Sequence, residues 1–275
     1  MVKDEGAIMD RGVVLTDWHE YQGDWSVVNA GVIEEELITI YVNAIELVVF
    51  MASPCEQDYL AIGFLKNEGL IEGIEEIEHI HISRDGCCVD VWLDHAFEKP
   101  EHMIITSGCG GGVTFVDPRS ELAPNLEEFE IDPQQLGHLF GMLHSPESLH
   151  ANARGVHSAG LSDGENIMAM TEDIGRHNTI DKLRGICLSK SIETQGRILL
   201  ATGRISSEML RKGALMGCPI IASRNSPTSM SVAMAEAWNI TLVGYVRRNS
   251  LRVYAHPERL RGENGKKANT EKRAE

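Results

Sequence analysis

The carboxyl half of the chain alternates short apolar runs with amphipathic runs, and this rhythm constrains the fold more than any other feature. Buried strands are predicted at residues 167–171, 197–202, 219–223 and 241–245. Helices are predicted at residues 178–189, 206–216 and 229–239. Strands that alternate with helices are typical of α/β folds, in which helices cover a largely parallel sheet. The sequence therefore predicts a layered α/β domain.

The amino half has a different pattern. Short β-rich runs are predicted to be strands at residues 36–42, 46–51, 74–82 and 88–93. One helix is predicted at residues 57–69, and Gly69 is a residue type that favours the end of a helix. This composition predicts a small α+β domain over residues 26–116, so that the whole chain is an α/β protein of two domains.

The boundaries of these domains follow from composition. Residues 117–131 are rich in Pro and Glu with little periodicity, and we expect a linker there. Asp132-Pro133 then begins a helix that extends to about residue 145, with Asp132 as its N-cap. The carboxyl domain is predicted to span residues 132–261. Residues 262–275 are charged and are predicted to be a disordered tail, and the polar residues at the start of the chain are predicted to be frayed.

Composition excludes several classes of function. A formal net charge of −16 disfavours a general nucleic-acid binder, because a phosphate backbone requires a positive field. No apolar run is long enough to cross a bilayer and the start has no signal-peptide pattern, which predicts a cytoplasmic protein. The histidines and the six cysteines lack metal-ligand spacing, so we expect no metal site. A serine-hydrolase elbow, a P-loop and a dinucleotide fingerprint are also absent.

Cys109 stands in a frame of small residues, Thr106-Ser107-Gly108-Cys109-Gly110-Gly111-Gly112. Cysteine is usually buried, so a thiol flanked by glycine on both sides is typical of a sulfur that other molecules must reach. As a thiolate it attacks sulfur or holds it as a persulfide. The alternative is a tight turn in which Cys109 only fills a gap.

Polar residues follow each of the four predicted strands of the carboxyl half. Since the carboxyl ends of parallel strands meet at one edge of a sheet, these four loops are expected to form one rim. Arg176, Arg204, Arg247 and Arg248 on this rim predict a phosphate-bearing ligand, because clustered guanidinium groups repel one another unless an anion is shared. Helix capping is the alternative for the hydroxyl groups of Ser206, Ser226, Thr228 and Ser229.

Several motifs together resemble one family. Residues 172–178 (Glu-Asp-Ile-Gly-Arg-His-Asn), with Asp181 and Lys182, resemble the central signature of the formate dehydrogenase accessory sulfurtransferase family, FdhD/NarQ. Further stretches resemble family motifs in the same order, at residues 58–65 with Glu68-Gly69, 155–159, 203–208, 226–229 and 253–259. The resemblance extends over about residues 27–260.

The resemblance implies a carboxyl domain with the cytidine deaminase fold and a homodimer. It also implies a sulfurtransferase that receives sulfur from a cysteine desulfurase as a persulfide on Cys109. The acceptor would be the molybdenum bis(molybdopterin guanine dinucleotide) cofactor, which is then supplied to formate dehydrogenase. Deamination is not expected, because the zinc-binding elements of deaminases are missing.

The rim and the resemblance together predict the residues that hold this nucleotide-bearing cofactor. They are Arg176, His177, Asn178, Asp181, Lys182, Gly203, Arg204, Ser206, Ser226, Pro227, Thr228, Ser229, Tyr245, Val246, Arg247, Arg248, Asn249 and Ser250. For His177 a hydrogen bond that stabilises a turn is an equally strong alternative.

One position departs from the family pattern. The family's loop has a second cysteine three residues after the first, and this chain has Gly112 there. One sulfur suffices to carry a persulfide, but a step that needs a resolving thiol would require another cysteine, such as Cys55, Cys87 or Cys88. A chaperone that binds the molybdenum cofactor without transferring sulfur is therefore a second hypothesis.

Overall fold

The computed structural model describes residues 12–105, 112–143 and 148–261. Four features of the sequence analysis lie outside the described residues: the polar start at residues 1–11, Cys109 with its neighbours 106–111, the end of the helix predicted to reach residue 145, and the predicted tail at 262–275.

The amino part contains eight strands and one helix among its described residues. These are β1 (Val13–Tyr21), β2 (Trp25–Ile33), β3 (Glu36–Val42), β4 (Ile45–Ala52), α1 (Gln57–Asn67), β5 (Ile77–Ile82), β6 (Cys88–Leu93), β7 (Ile104–Ile105) and β8 (Val113–Thr114). Strands β1 and β2 form an antiparallel hairpin of their own, and the other long strands form a sheet in the order β4-β3-β6-β5. One face of this sheet packs on α1, through side chains that include Ile38, Ile40, Val89 and Val91.

The carboxyl part contains one six-stranded sheet and five helices. Its elements are α2 (Pro133–Met142), α3 (Leu149–Ala153), β9 (His157–Ser162), β10 (Ile167–Asp173), α4 (Arg176–Ser189), β11 (Ile198–Ala201), α5 (Ser207–Leu215), β12 (Ile220–Ser223), α6 (Ser229–Ala237), β13 (Thr241–Arg247) and β14 (Ser250–Ala255). The strand order is β10-β9-β11-β12-β13-β14. Both faces are buried, as in sheets covered by helices on each side.

Alternate side chains along the central strands fill two cores. In β11, Leu199 belongs to the core with α4, α5 and α6, whereas Ile198 and Leu200 belong to the core with α2. The helices α4 and α5 thus lie between the six-stranded sheet and α1, which itself covers the amino sheet. From one side to the other, the layers are amino sheet, α1, the α4–α6 helices, carboxyl sheet and α2.

Helices α1 and α4 cross in direct backbone contact. A Cβ atom added to Gly63 of α1 would overlap the carbonyl oxygen of Asp181, and one added to Gly185 of α4 would overlap the carbonyl oxygen of Tyr59. Both positions are therefore restricted to glycine by contact between the helices rather than by backbone dihedral angles. This crossing joins the amino and carboxyl parts into adjacent layers.

Most of the predicted elements are confirmed. The α/β class is confirmed, and so are the strands at 36–42 and 88–93 with their bounds and Asp132 as the N-cap of α2. Gly69 has the left-handed φ of 69° expected just after a helix. The two-domain division, its boundaries at residues 116, 117–131 and 132, and the likeness to the cytidine deaminase fold stay predictions.

One predicted strand was wrong, and several strands were missed. Residues 74–82 are not one strand, because Ile74–Glu76 form a 3₁₀ turn before β5. The hairpin of Val13–Tyr21 and Trp25–Ile33 was not predicted. Its strands are exposed on both faces and so show little of the alternation that marks a strand. Strands β9 and β14 were also missed.

The helix crossing predicts an unusual response to alanine. Gly63→Ala and Gly185→Ala should each lower the free energy of unfolding by about 2–4 kcal/mol, because the methyl group meets backbone that cannot yield. Gly141→Ala in α2 is the matched control, since a Cβ there has no atom within 4 Å and alanine favours a helix by about 1 kcal/mol. Urea unfolding of the three variants measures this, and equal stability of all three would contradict a close crossing.

Candidate functional site

Four strand ends lie along one edge of the carboxyl sheet. Strands β11, β12 and β13 are parallel, and β9 is antiparallel to both β10 and β11, so β10 runs in the same direction as the other three. The loops that follow these four strands therefore meet at one edge, as predicted. We call the residues of these loops, 174–178, 202–206, 224–229 and 245–250, the polar rim.

Asp173, at the end of β10, organises the first loop of the rim. Its buried carboxylate accepts hydrogen bonds from the backbone N–H of Gly175 at 2.7 Å and from the side-chain amide of Asn178 at 2.8 Å. Its other oxygen accepts from the backbone N–H of Ser53 at 3.1 Å and pairs with Lys182 at 2.7 Å. One carboxylate thus fixes the start of α4 to the chain just after β4. The side-chain amide of Asn178 adds a second link between α4 and the amino part, because it donates to the carbonyl oxygen of Met51 in β4.

Asp181 and Lys182 are buried beneath the rim. Lys182 pairs with Asp173, and Asp181 pairs with Lys212 of α5 at 2.7 Å and accepts a hydrogen bond from Asn67 of α1 at 2.8 Å. A buried charge requires a partner, and these contacts give both Asp181 and Lys182 a structural role. Their predicted contact with a cofactor stays a prediction.

His177 connects the first loop of the rim to the second. Its Nε2 atom lies 3.2 Å from the hydroxyl oxygen of Ser206, the N-cap of α5, and 3.6 Å from the carboxylate of Glu208. Burial lowers the pKa of His177 to about 4, although Glu208 acts in the opposite direction. The imidazole is therefore neutral at pH 7, and its geometry favours the structural alternative, a hydrogen bond that stabilises a turn.

Gly203 brings the second loop against the first. A Cβ atom at this position would lie 2.8 Å from the Cβ atom of Arg176 and 3.4 Å from Nδ1 of His157, so the backbone can pass only without a side chain. Arg176 is buried, and His157, the first residue of β9, lies beside it. Burial and the nearby guanidinium of Arg176 lower the pKa of His157. The site residues proposed from the sequence did not include His157.

The second and third loops are joined by backbone hydrogen bonds. The N–H of Ile205 donates to the carbonyl oxygen of Ser226, and the N–H of Thr228 donates to that of Ile205. Thr228 also caps α6 through its hydroxyl oxygen, which accepts from Ser231. Helix capping thus accounts for the hydroxyl groups of Ser206 and Thr228. Ser226 and Pro227 pair with the second loop and hold the two loops in register.

The outer surface of the rim is positively charged. Arg204, Arg247 and Arg248 are exposed, and Asn249, Ser250 and Ser229 are exposed with them. The Arg247 guanidinium donates to the carbonyl oxygens of Arg224 and Val246, which places it across the turn after β12. Tyr245 has a left-handed φ of 52° at an irregularity of the β13–β14 pairing, and Arg252 stacks on its ring at 4.4 Å. The rim thus offers several cations on a chain of net charge −16.

The segment that carries Cys109 lies outside the described residues, but its flanks are fixed. Ile105 of β7 pairs with Val113 of β8, so the described chain enters and leaves this segment through paired strands. Thr114 and the N–H of Phe115 donate to the carboxylate of Glu68 at the end of α1, at 2.8 and 2.7 Å. Strand β8 is therefore anchored to the helix that crosses α4.

The cysteines within the described residues are free thiols. Cys187 and Cys218 are buried, and burial raises their pKa values to about 11 and about 12. Cys55, Cys87 and Cys88 are half-buried, and burial raises the pKa of Cys55 although the Lys182 ammonium lies 3.8 Å away. Cys109, to which a resolving thiol would have to come close, lies outside the described residues.

Two kinds of feature are absent from residues 12–105, 112–143 and 148–261. No group of three or more His, Cys, Asp or Glu side chains there is arranged to hold a metal ion. None of its helices has the length and apolar character that crossing a membrane requires.

The fold and the site thus define an α/β class of protein with a basic edge built from four loops at the carboxyl ends of its strands. Within that class, the chain belongs to the FdhD/NarQ family, whose pattern it matches over residues 33–261. The family resemblance inferred from the motifs is thereby confirmed.

Individual relatives support the same assignment. The chain is 34% identical over 230 residues to the sulfur carrier protein FdhD of Staphylococcus haemolyticus, covering 82% of this chain and 87% of the relative. It is 34% identical over 250 residues to the protein of the same name from Bacillus subtilis, covering 89% and 95%. A crystal structure described as a formate dehydrogenase accessory protein from Desulfotalea psychrophila superposes with a TM-score of 0.74 at 27% identity, covering 90% of this chain and 99% of that one.

The buried imidazole predicts a dependence of stability on pH. The folded-state pKa of His177 is about 4 against an ordinary value of 6.5, so the unfolded chain takes up the proton first as the pH falls. Stability from this group is present above pH 6.5 and is lost towards pH 4, by up to roughly 3 kcal/mol. His177→Gln should flatten this dependence in urea unfolding, whereas His138→Gln at an exposed position of α2 should leave it unchanged. The same slope in both variants would contradict a buried neutral His177.

Proposed function

We propose that the protein carries sulfur as a persulfide on Cys109, from a cysteine desulfurase to the molybdenum bis(molybdopterin guanine dinucleotide) cofactor of formate dehydrogenase. The observation that carries this proposal is the match to relatives named sulfur carrier protein FdhD over more than four fifths of the chain. The glycine frame of Cys109 and the basic rim support it independently. The cytoplasm, where cysteines remain reduced, is the proposed location.

The loading step requires one thiolate. The Cys109 thiolate attacks the terminal sulfur of the donor persulfide, a new S–S bond forms at Cys109, and the desulfurase cysteine leaves as a thiolate. This exchange needs no external electrons. Release of the terminal sulfur as sulfide does need two electrons, and a second thiol supplies them by forming a disulfide. Because Gly112 has no thiol, these electrons come from another cysteine of this chain or of a partner.

The polar rim is proposed to hold the acceptor. Arg204, Arg247 and Arg248 are exposed at one edge, and guanidinium groups match the geometry of phosphate oxygens. The helix starts at Ser207 and Ser229 direct backbone N–H groups towards the same edge. This arrangement suits the pyrophosphate and guanine nucleotide ends of the cofactor, which is the cargo of the reaction.

A homodimer is part of the proposal, and the β1–β2 hairpin supports it. Leu15, Trp25 and Val27 are half or more exposed on this hairpin. A two-stranded hairpin is marginally stable in water on its own, and covering these side chains by a second copy would remove apolar surface from water. Formate dehydrogenase as the client and a cysteine desulfurase as the donor complete the proposed set of partners.

A cofactor-binding chaperone without sulfur transfer is the second candidate. The observation that favours it is Gly112, which leaves the loop with one cysteine. The two functions differ in one respect only, because the chaperone binds guanine nucleotide but acquires no persulfide.

The rim predicts the location of guanine nucleotide binding. Arg204→Gln and Arg247→Gln should each weaken binding of guanosine diphosphate about tenfold, the value of one charge-assisted hydrogen bond. Lys99→Gln, which removes one exposed positive charge from the amino part, should have no effect. Isothermal titration calorimetry measures the three dissociation constants, and an equal loss in all three would indicate net charge rather than a rim site.

Cys109 is tested by sulfur loading. After incubation with a cysteine desulfurase and cysteine, a non-reducing peptide mass spectrum should show a reducible gain of one sulfur on the Cys109 peptide. Cys109→Ala should abolish this gain and the activation of formate dehydrogenase, whereas Cys88→Ala should retain the gain. Normal activation by Cys109→Ala would refute the sulfur carrier. A lack of persulfide in the unmodified protein, with nucleotide binding intact, would favour the chaperone.

A further inference from the structure

A small cavity lies between the carboxyl-terminal end of α1 and helices α4 and α5. Its volume is about 260 Å³, and its lining includes Lys66, Glu68, Glu72, Arg184 and Arg211. Arg184 is more than two turns further along α4 than Arg176, so this cavity is distinct from the polar rim. It lies where the amino and carboxyl parts meet, beside the crossing of α1 and α4.

Two guanidinium groups in this lining have incomplete hydrogen bonding. Arg184 donates from one terminal nitrogen to the hydroxyl of Thr194 at 2.9 Å, and Arg211 donates to the carbonyl oxygen of Ser120 at 3.0 Å. The Nε atom of each is buried and has no hydrogen-bond partner among the described residues. Burial lowers the pKa of both groups. An unpaired buried donor costs free energy, and an acceptor brought into the cavity would recover it.

The local charge favours an anion. The lining contributes three cations and two carboxylates. Glu72 is 92% exposed at its side chain and approaches Lys66 only to 3.7 Å, so water weakens the effect of its charge on the lining without removing it. Glu68 is already bonded to Thr114 and Phe115 and lies in the field of Lys212. Among the described residues neither guanidinium group forms a salt bridge, although the charges of Glu68 and Asp117 act on Arg211 and that of Glu193 acts on Arg184.

The size of the cavity limits the ligand. A water molecule occupies about 30 Å³ and a cavity for a drug-sized molecule begins at about 300 Å³. The volume of 260 Å³ suits a phosphate or pyrophosphate group with a few waters. Guanidinium groups bind such oxyanions through paired N–H donors.

We propose that this cavity is a second anion site, in which Arg184 and Arg211 bind a small phosphate-type oxyanion and Lys66 adds attraction at its entrance. The site does not depend on the proposed function of the rim. An anion bound here touches α1 on one side and α4 and α5 on the other, so its binding stabilises the junction of the amino and carboxyl parts.

The test uses inorganic phosphate and pyrophosphate with the full chain. At constant ionic strength, phosphate should raise the melting temperature in a saturable way that chloride does not reproduce, and it should shift the NMR signals of the Nε–H groups of Arg184 and Arg211. The double variant Arg184→Gln/Arg211→Gln should weaken phosphate binding about tenfold or more. Arg204→Gln on the rim should leave the phosphate-induced shifts of the Arg184 and Arg211 signals unchanged.

A second variant keeps the test decisive if the double variant is unstable. Glu72→Gln removes an exposed negative charge from the same cavity and should strengthen phosphate binding about two- to threefold. Competition by guanosine diphosphate in the Arg204→Gln background would show that a nucleotide supplies the phosphate group, and its absence would indicate the free anion. No saturable stabilisation, no gain from Glu72→Gln, or loss of the Arg184 and Arg211 signal shifts in Arg204→Gln would each overturn the proposal.

Discussion

The close crossing of α1 and α4 is the contact on which the rest of the structure depends. Gly63 and Gly185 allow the two helices to meet backbone to backbone, nearer than the roughly 8–10 Å that separates most packed helices. At this distance polar side chains from both helices reach across, so that Asn67 of α1 bonds Asp181 of α4, which in turn pairs with Lys212 of α5. Buried charges of this kind are tolerated only when geometry supplies every partner. The glycines supply that geometry.

The same contact positions the candidate site. Asp173 and Asn178 attach the start of α4 to Ser53 and Met51, so the first loop of the rim is fixed from the amino side. The contact of His177 with Ser206 in turn positions the start of α5. The interior of the rim is thus built from neutral or paired groups, and the unpaired positive charge stands outside, on Arg204, Arg247 and Arg248. The rim thus consists of a buried, hydrogen-bonded support with solvent-exposed cations at its surface.

Sequence reasoning predicted the elements whose apolar pattern is local and strong, such as β3 and β6. It missed β9, although this strand is buried between β10 and β11, because Ser158, Ala159 and Gly160 give it no apolar run. The shared edge of the four loops was nevertheless predicted correctly, since β9 inserts antiparallel and preserves the direction of its neighbours. The burial of Asp181 and Lys182 could not be predicted, because their partners Asn67, Lys212 and Ser53 are distant in sequence. A charged residue in a motif has the same appearance whether it binds a ligand or supports the fold.

The glycine crossing also limits how this architecture can change over evolutionary time. A domain joined by a linker can be exchanged, duplicated or lost, but the amino sheet here shares its covering helix with the carboxyl part at a contact that admits no side chain. Recombination that separated α1 from α4 would leave each half with an exposed strip of bare backbone and unpaired charges. The two sheets therefore form one packed unit, because neither part could lose the other without exposing this strip.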